Sequence, residues 1–318
     1  MTTTSNPAMG RSAGPKPSLR RKASRGSILA DRAATVALWG TGILVILILG
    51  AIILHFALAA WGVVSPSFIL SDPSRATLGG VMPILWNSIY ILVLTMLIAV
   101  PVGILAGIYM AEYAGDNGIT GAIRFAEESI SSVPSIVVGL FGLILFVDDF
   151  HWGFSALGGS LALTFFNLPL MPRLSEQALR AVPQEERNAS LALGATKWQT
   201  IQHVVLPLAI PGLITGIILT AGRVFGEAAV LLFTSGVGTP PHYNFLNFDL
   251  TNPASPWSPF RPATTLSVYI WNLNSEGLGA FKNQIVDGSA AILISMVLIF
   301  NLGARLIGRL LTRRLTAA

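Results

Sequence analysis

The chain contains no cysteine, which excludes disulfide bridges, thiolate metal sites and cysteine nucleophiles. Only 11% of its 318 residues are charged, whereas about 25% is usual for soluble domains. No Gly-Lys dipeptide occurs anywhere in the chain, so it has no phosphate-binding loop for a nucleotide. We therefore expect no nucleotide hydrolysis by this chain.

Residues for catalysis or for a metal site are also missing. The histidines His55, His151, His203 and His242 are scattered without the spacing of zinc ligands, so we expect them to be structural or solvated. The apolar stretches contain no HExxH pair and no recognisable pairing of a nucleophile with a base. The sequence therefore predicts no catalytic residue, no metal ligand and no cofactor bound by this chain.

What the chain has instead is apolar sequence, which makes up 53% of its residues and gives a mean hydropathy of +0.67. Such a composition is typical of polytopic membrane proteins. A bilayer crossing needs about 20 mostly apolar residues. Six runs are candidates, at about 36–61, 87–113, a third that ends near 147 after an amphipathic lead-in, 157–171, 208–234 and 289–310.

The predicted architecture is therefore an all-α polytopic membrane protein with six transmembrane helices. We expect residues 1–32 to form a disordered basic tail and residues 33–83 to hold the first span and an external loop. Residues 84–310 would form a transmembrane domain with a five-helix core, followed by a tail at 311–318. Within that domain we expect a loop at 180–206 and an external loop at 235–288.

The basic residues predict the orientation of these spans. Of the 20 Lys and Arg residues, sixteen fall on the side that holds both termini and the 180–206 loop, and three on the opposite side. Because short loops rich in Lys and Arg stay in the cytoplasm, we expect both termini and the 180–206 loop to be cytoplasmic. The remaining cation, Arg223, lies inside the fifth predicted span.

The segment 180–206 is predicted to form two short helices that meet at a glycine. Pro183 suits a first helical position, and Gly194 can adopt the left-handed conformation that ends a helix. Thr196 and Gln199 have the spacing of a capping box, which starts a second helix at once. An apolar stripe is expected along that helix, formed by Trp198, Ile201, Val204 and Val205. Pro207 then marks the entry to the fifth span.

Such a hairpin between two spans suits docking into a groove of another protein. An amphipathic hairpin that rests on lipid headgroups remains an alternative. A helix-turn-helix that binds DNA is disfavoured, because its second helix is too apolar and its flanks enter the membrane.

The stretch ASLALGATKWQTIQHVVLPLAIPGL resembles the signature loop of ABC-importer permeases, in which Glu-Ala-Ala, three residues, Gly and nine residues precede Ile-x-Leu-Pro. Gly194 matches the glycine, and the segment 204–207 matches the closing motif. Asn188, Ala189 and Ser190 stand in place of Glu-Ala-Ala, so the family's carboxylate is absent. The resemblance implies a type I (MetI-like) importer permease fold, in which this loop is the coupling helix that docks onto an ATPase subunit. The coupling residues would be Asn188, Ala189, Ser190, Gly194, Thr196, Trp198 and Pro207.

Arg223 and Glu227 in the fifth predicted span are the most distinctive chemical feature of the chain. Their spacing of four places both side chains on one face of a helix. Each charge costs about 2.5–3.5 kcal/mol at the centre of a bilayer. One interpretation is a salt bridge that only locks the helix. The other is a substrate pathway in which Arg223 contacts an anion while Glu227 orients or gates it.

Three further stretches, GRVFGEAAVLLFT, VPSIVVGLFG at 133–142 and TLSVYIWNL, resemble the phosphate-specific transport permeases, most of all their A component. The similarity covers about residues 84–310. It implies inward transport of phosphate across a bacterial cytoplasmic membrane by alternating access. It also implies four kinds of partner: a dimeric ATPase that holds ATP and Mg, a second homologous permease (the C component), a periplasmic or lipid-anchored phosphate-binding protein, and membrane lipid.

Two alternatives to phosphate import remain. Another oxyanion is compatible with the same residues. A secondary transporter is less favoured, because no internal repeat is visible in the sequence. In the predicted external loop, the segment 264–277 is expected to form a short ordered element. Both a contact with a binding protein and a cover at the membrane interface remain open for it.

Overall fold

The regular structure of the chain is helical throughout the part that the computed structural model describes, which comprises residues 25–74, 78–115, 117–240, 242–277 and 281–316. These residues contain thirteen α-helices. Their bounds are α1 Arg25–Ala59, α2 Pro66–Leu70, α3 Met82–Ile108, α4 Gly118–Ser131, α5 Ser135–Gly142, α6 Ala156–Asn167, α7 Leu170–Arg180, α8 Gln184–Ala192, α9 Lys197–Thr200, α10 Leu206–Gly226, α11 Ala229–Thr234, α12 Leu266–Glu276 and α13 Lys282–Thr316.

Three short π-helical segments extend or join these helices. Tyr109–Tyr113 prolongs α3, Leu143–Asp149 prolongs α5, and Ile201–Val205 joins α9 to α10. π-Helical turns are rare and occur often at functional sites. As a result, Met82–Tyr113 and Lys197–Gly226 are continuous helices of 32 and 30 residues.

The chain divides into two units, and the first comprises residues 1–52. Its described part, residues 25–52, is entirely helical and belongs to α1. The prediction of a disordered tail is therefore wrong for residues 25–32, and residues 1–24 lie outside the described residues. The apolar part of α1, Leu29–Ala59, is long enough to cross a membrane.

The count of spans differs from the six that were predicted. Four described helices are long and apolar enough to cross a membrane, and the pair α4 and α5, bent by 96°, makes up to five. The predicted fourth span coincides with α6, which has only 12 residues. Pro169 and Pro172 lack the amide hydrogens that would continue the helix, so α6 ends and α7 begins as a separate helix.

Two further boundaries differ from the expectation. The predicted external loop at 235–288 is interrupted by α12, which confirms an ordered element within the segment 264–277. α13 begins at Lys282 and continues to Thr316, so most of the predicted C-terminal tail is helical. Residues 317–318 lie outside the described residues.

Small residues bring α3 and α7 close together in the second unit. A Cβ added at Gly103 would lie 2.3 Å from Cγ of Met171, and one added at Gly107 would lie 2.4 Å from Cβ of Ser175. Close approach at small residues is the usual way in which membrane helices associate. α7 therefore packs directly on the half of α3 that leads to the 180–206 hairpin.

Apolar side chains form three buried clusters in this unit. The largest lies among α3, α5, α6, α10 and α11 and includes Leu163, Ala221 and Val230. A second cluster joins the ends of α3 and α7 to the helix that leads into α10. The third joins α2, α3, α12 and α13 around Phe68 and Leu266.

The segment 236–265 is held to the start of α3 by the side chain of Arg261, which is fully buried. The Nη1 of Arg261 donates to Oδ1 of Asn87 at 2.7 Å and to the hydroxyl of Tyr243 at 2.6 Å, while Nε and Nη2 donate to the carbonyl of Pro256 at 3.2 and 2.9 Å. Burial lowers the pKa of Arg261, and the interaction with Tyr243 opposes that shift. No carboxylate among the described residues pairs with this cation, and the sequence alone did not single it out.

Candidate functional site

The 180–206 hairpin has the helix–glycine–helix geometry that the sequence predicted. α8 follows Pro183, and Gly194 has a φ of +86°. The amide of Thr196 donates to Oε1 of Gln199 at 2.8 Å, and the amide of Gln199 donates to Oγ1 of Thr196 at 3.3 Å. The predicted capping box is therefore confirmed. Pro207 lies in the first turn of α10, inside a helix that is continuous from Lys197.

The apolar stripe of the second helix was predicted wrongly in part. Ile201 and Val205 are 1% and 0% exposed and belong to the cluster at the base of the hairpin. Trp198 is 52% exposed and Leu193 is 90% exposed. Because α9 continues directly into α10, its inner face is covered by the protein itself. The exposed large apolar side chains of the hairpin are those of Leu191, Leu193 and Trp198.

The three residues that stand in place of Glu-Ala-Ala lie on α8. Asn188 is exposed, and its Oδ1 accepts a hydrogen bond from Nε2 of Gln184 at 3.3 Å. Ala189 is also exposed. The hydroxyl of Ser190 is hydrogen-bonded to that of Thr200 at 2.9 Å, which joins the two halves of the hairpin. Their role in coupling stays a prediction.

A buried ion pair that the sequence did not reveal fixes α8 to the end of α3. Nη2 and Nε of Arg187 donate to Oε1 of Glu112 at 2.9 and 3.2 Å. The two side chains are 11% and 9% exposed. The partners are far apart in the sequence, so no local spacing could have indicated them.

The predicted same-face pair of Arg223 and Glu227 is not formed. α10 ends at Gly226, and Glu227 has an extended backbone with φ −76° and ψ 125°. Its Oε1 accepts the amides of Ala229 and Val230 at 3.0 and 3.3 Å, so the carboxylate caps the start of α11. The i, i+4 rule fails here because the helix stops one residue before Glu227.

The guanidinium of Arg223 instead lies over the ring of Phe166, 3.9 Å from its centre. No carboxylate among the residues that the structure describes pairs with Arg223. None of these residues accepts a hydrogen bond from it either. The side chain is half-buried, and its five N–H donors make no hydrogen bond to the described residues.

The helix break at Glu227 is joined to the start of α12. The hydroxyl of Ser267 donates to the carbonyl of Glu227 at 2.8 Å and is hydrogen-bonded to the hydroxyl of Thr265 at 3.0 Å. A span that is interrupted near a charged residue is typical of transporter pathways. The arrangement places Arg223 in the last turn of α10 and Glu227 in the break between α10 and α11.

A helical bundle with such a hairpin defines the class of type I ABC-importer permeases. The protein family described as "Binding-protein-dependent transport system inner membrane component" matches residues 99–317 of this chain. The chain belongs to this family, and it is a multi-pass membrane protein.

Two curated relatives illustrate the family. The probable ABC transporter permease protein YqgI of Bacillus subtilis is 50% identical over 239 residues, which are 75% of this chain and 81% of the relative. The phosphate transport system permease protein PstA of Xylella fastidiosa is 34% identical over 242 residues, which are 75% of this chain and 78% of the relative.

Solved structures of low identity share the fold. A chain of a bacterial alginate ABC transporter, crystallised with an alginate-bound periplasmic protein, matches with a TM-score of 0.64 at 15% identity over 90% of this chain and 97% of that chain. A chain of the MetNI methionine ABC transporter matches with a TM-score of 0.54 at 17% identity over 71% of this chain and 93% of that chain. The predicted type I importer permease fold is thereby confirmed.

Proposed function

We propose that this chain is the permease subunit of an importer that moves inorganic phosphate inward, with ATP hydrolysed by a separate subunit. The observation that carries the proposal is the guanidinium of Arg223, which lies in a membrane helix with no acceptor among the described residues. A cation in a span is costly and usually marks a substrate or ion path. A divalent oxyanion that passes through the bundle would offset that cost.

Arginine suits a phosphate better than lysine does. Its planar guanidinium binds two oxygens of one oxyanion at once, and it can stack on an aromatic ring while it does so. The face of Phe166 holds one side of the guanidinium and leaves the N–H groups at its edge for a ligand. Through its cap on the start of α11, Glu227 would maintain the helix break or gate the substrate pathway.

The relatives support the choice of substrate. Permeases named for phosphate transport are about one third identical to this chain over three quarters of its length. The more similar YqgI bears no substrate in its name, so another oxyanion is the competing assignment. Direct competition between oxyanions distinguishes the two.

The hairpin also suggests which proteins assemble with this chain. We infer that Leu193 and Trp198, with Asn188, Ala189 and Ser190, form the surface that docks onto an ATPase dimer, which would supply ATP and Mg. The chain itself would have no enzymatic activity. A second permease would complete the pathway, and a phosphate-binding protein would deliver substrate on the opposite side. Both termini would then lie in the cytoplasm of a bacterium whose inner membrane holds the protein.

The test begins with purification of the tagged chain in mild detergent and identification of the proteins that co-elute. The complex is reconstituted into liposomes, and uptake of radiolabelled phosphate is measured with and without ATP. We expect an ATPase and a second permease to co-elute, and we expect uptake to need ATP. Excess unlabelled phosphate should abolish uptake of the labelled phosphate, whereas excess sulfate or molybdate should leave that uptake unchanged.

Three outcomes would contradict the proposal. Preferential competition by sulfate or molybdate would assign another oxyanion. Uptake by the chain alone, driven by an ion gradient without ATPase, would indicate a secondary transporter. Absence of an ATPase from the purified complex would remove the basis for the coupling role of the hairpin.

A further inference from the structure

The end of α3 receives one cation from each of three consecutive helices. Nη2 of Arg180, at the end of α7, donates to the carbonyl of Met110 at 3.0 Å. Arg187 of α8 pairs with the carboxylate of Glu112 at 2.9 Å. Nζ of Lys197, at the start of α9, donates to the carbonyl of Glu112. We call these three contacts the cation clamp.

The position of the clamp has a simple physical reason. The π-helical segment Tyr109–Tyr113 is the last turn of α3, where carbonyls have no partner within the helix and carry partial negative charge. Glu112 adds a full negative charge at the same place. The ammonium of Lys197 also lies 4.7 Å from the centre of the Tyr113 ring, a cation–π distance.

α8 depends on this clamp more than its neighbours do. Arg187 is the only buried residue of the helix. A cleft of about 760 Å³ opens among α8, the end of α7 and the last turn of α3, with Glu112, Arg187 and Leu191 in its wall. Apolar packing therefore does not fill the space between α8 and α3. The ion pair bridges it, and the carbonyls of Leu179 and Val182 accept further hydrogen bonds from Arg187.

α3 leads from the clamp to the far end of the helix bundle. Its 32 helical residues, Met82–Tyr113, span about 48 Å at 1.5 Å per residue. Near its start, Asn87 binds the buried Arg261 of the segment 236–265. α3 therefore joins the cation clamp at one end to the Arg261 contact near the other end.

We propose that Glu112 is the residue through which the hairpin moves α3, so that the two shift as one body when the ATPase acts. Glu112 is a positioning residue in this account and contacts no substrate. The proposal rests on the coupling role of the hairpin that is argued above. Loss of the ion pair should let α8 move without α3, so that ATP is hydrolysed with little transport.

Glu176 supplies a matched control. Its side chain is 7% exposed and pairs with Arg124 at 2.7 Å and with Arg180 at 2.9 Å. It therefore resembles Glu112 in charge and burial, but its carboxylate lies on α7 and does not contact the last turn of α3. Glu176→Gln reports the cost of losing a buried ion pair while all three clamp acceptors on α3 are kept. Glu112→Gln adds the loss of one clamp contact, the ion pair with Arg187.

The first measurement needs no substrate. The chain has no native cysteine, so two exposed positions, Tyr109→Cys on the last turn of α3 and Glu186→Cys on α8, can carry nitroxide labels. Pulsed spin-label spectroscopy on the complex with its ATPase gives the distance between them, with and without ATP and Mg. We expect the same narrow distribution in both states for the otherwise unaltered chain and for Glu176→Gln. Glu112→Gln should give a broader distribution that shifts with nucleotide.

The second measurement is the number of phosphate ions taken up per ATP hydrolysed in proteoliposomes. For Glu112→Gln we expect ATP hydrolysis close to the level of the unaltered complex and a loss of about fivefold or more in phosphate per ATP, the lower end of usual coupling effects. Glu176→Gln should keep the ratio of the unaltered complex. Arg187→Lys retains the charge and should restore part of the ratio that Arg187→Gln loses.

The outcomes separate this proposal from the proposed function. An unchanged narrow distribution in Glu112→Gln overturns the clamp. A broad distribution with an unchanged ratio of phosphate to ATP overturns its role in coupling. If the unaltered complex moves no phosphate even when a phosphate-binding protein is supplied, the proposed substrate is wrong. The shift of the label distance with nucleotide still decides whether Glu112 joins the hairpin to α3.

Discussion

At the scale of single residues, the hairpin depends on a glycine that no β-branched residue can replace. Gly194 has a φ of +86°, and an added Cβ would meet no atom within 4 Å. Space is therefore available, and only the backbone conformation is restricted. A left-handed conformation costs an ordinary L-residue about 1–2 kcal/mol, and Asn tolerates it better than a β-branched residue does.

Gly194→Val should therefore misdirect α9 while Gly194→Asn keeps the turn. We expect the Val variant to insert into the membrane at the level of the unaltered chain but to retain less ATPase on purification. The Asn variant should retain nearly all of it. The measurement is the ratio of ATPase to permease in the purified complex, and equal ratios for the two variants would contradict the account.

The buried hydrogen bonds of Arg261 predict the effect of replacing this residue. Its removal leaves the Tyr243 hydroxyl without a donor and weakens the bonding of Asn87 and Pro256, which keep hydrogen bonds from Tyr243 and Trp86. An unsatisfied buried group costs about 1–3 kcal/mol. We expect Arg261→Met to lower the thermal unfolding temperature in detergent and to expose the segment 236–265 to proteases. Lys282→Met on the same part of the fold is the control and should change neither property. Identical protease sensitivity of both variants would show that the loop does not need Arg261.

At the scale of elements, the crossing of α3 and α7 is sensitive to single methyl groups. Gly103→Ala places a Cβ 2.3 Å from Cγ of Met171, and overpacking of this kind costs about 1–3 kcal/mol. Gly222→Ala in α10 meets nothing within 4 Å. We expect the first substitution to lower the unfolding temperature and the second to leave it unchanged or raise it. A Gly103→Ala variant as stable as Gly222→Ala would contradict the close approach of the two helices.

Interactions between neighbours in the chain account for the elements that the sequence predicts correctly. The hairpin was recognised because Gly194, Thr196 and Gln199 act on their own neighbours in the chain. The end of α10 at Gly226 was not predicted, because an isolated Gly is also tolerated inside a helix and the amides that Glu227 caps belong to the next helix. The predicted fourth span is divided between α6 and the start of α7, because hydropathy alone does not show that α6 ends after 12 residues.

The contacts that hold the candidate site together were beyond the sequence altogether. Arg187 reaches Glu112 across 75 positions, and Arg261 reaches Asn87 across 174. Such pairs form only after helices have packed, and no spacing rule for a single helix describes them. The basic character of both arginines was visible in the sequence, but their burial and their partners were not.

At the scale of the whole molecule, the hairpin and the segment 236–265 should lie on opposite sides of the membrane. The distribution of Lys and Arg predicts that the hairpin is cytoplasmic. Leu193 and Leu246 are 90% and 85% exposed, and the chain has no cysteine of its own. In intact cells we expect a membrane-impermeant maleimide to label Leu246→Cys but not Leu193→Cys. The second variant should be labelled only after the membrane is permeabilised. Labelling of both variants in intact cells would refute this topology.

In the proposed function, Arg223 binds the transported anion. Arg223→Lys keeps the charge but loses the bidentate geometry, and Arg223→Gln loses both. Glu227 does not pair with Arg223, so neither substitution removes a carboxylate's partner among the described residues. Both variants should therefore assemble with the ATPase at the level of the unaltered chain.

The most direct test is ATP-dependent uptake of radiolabelled phosphate in proteoliposomes, normalised to assembled complex, for the unaltered chain and for the Lys, Gln and Arg223→Gln/Glu227→Gln variants. We expect the Lys variant to lose most of its uptake and the Gln and double variants to lose nearly all of it. Uptake near the level of the unaltered chain in the Lys or the double variant would contradict an anion contact at Arg223.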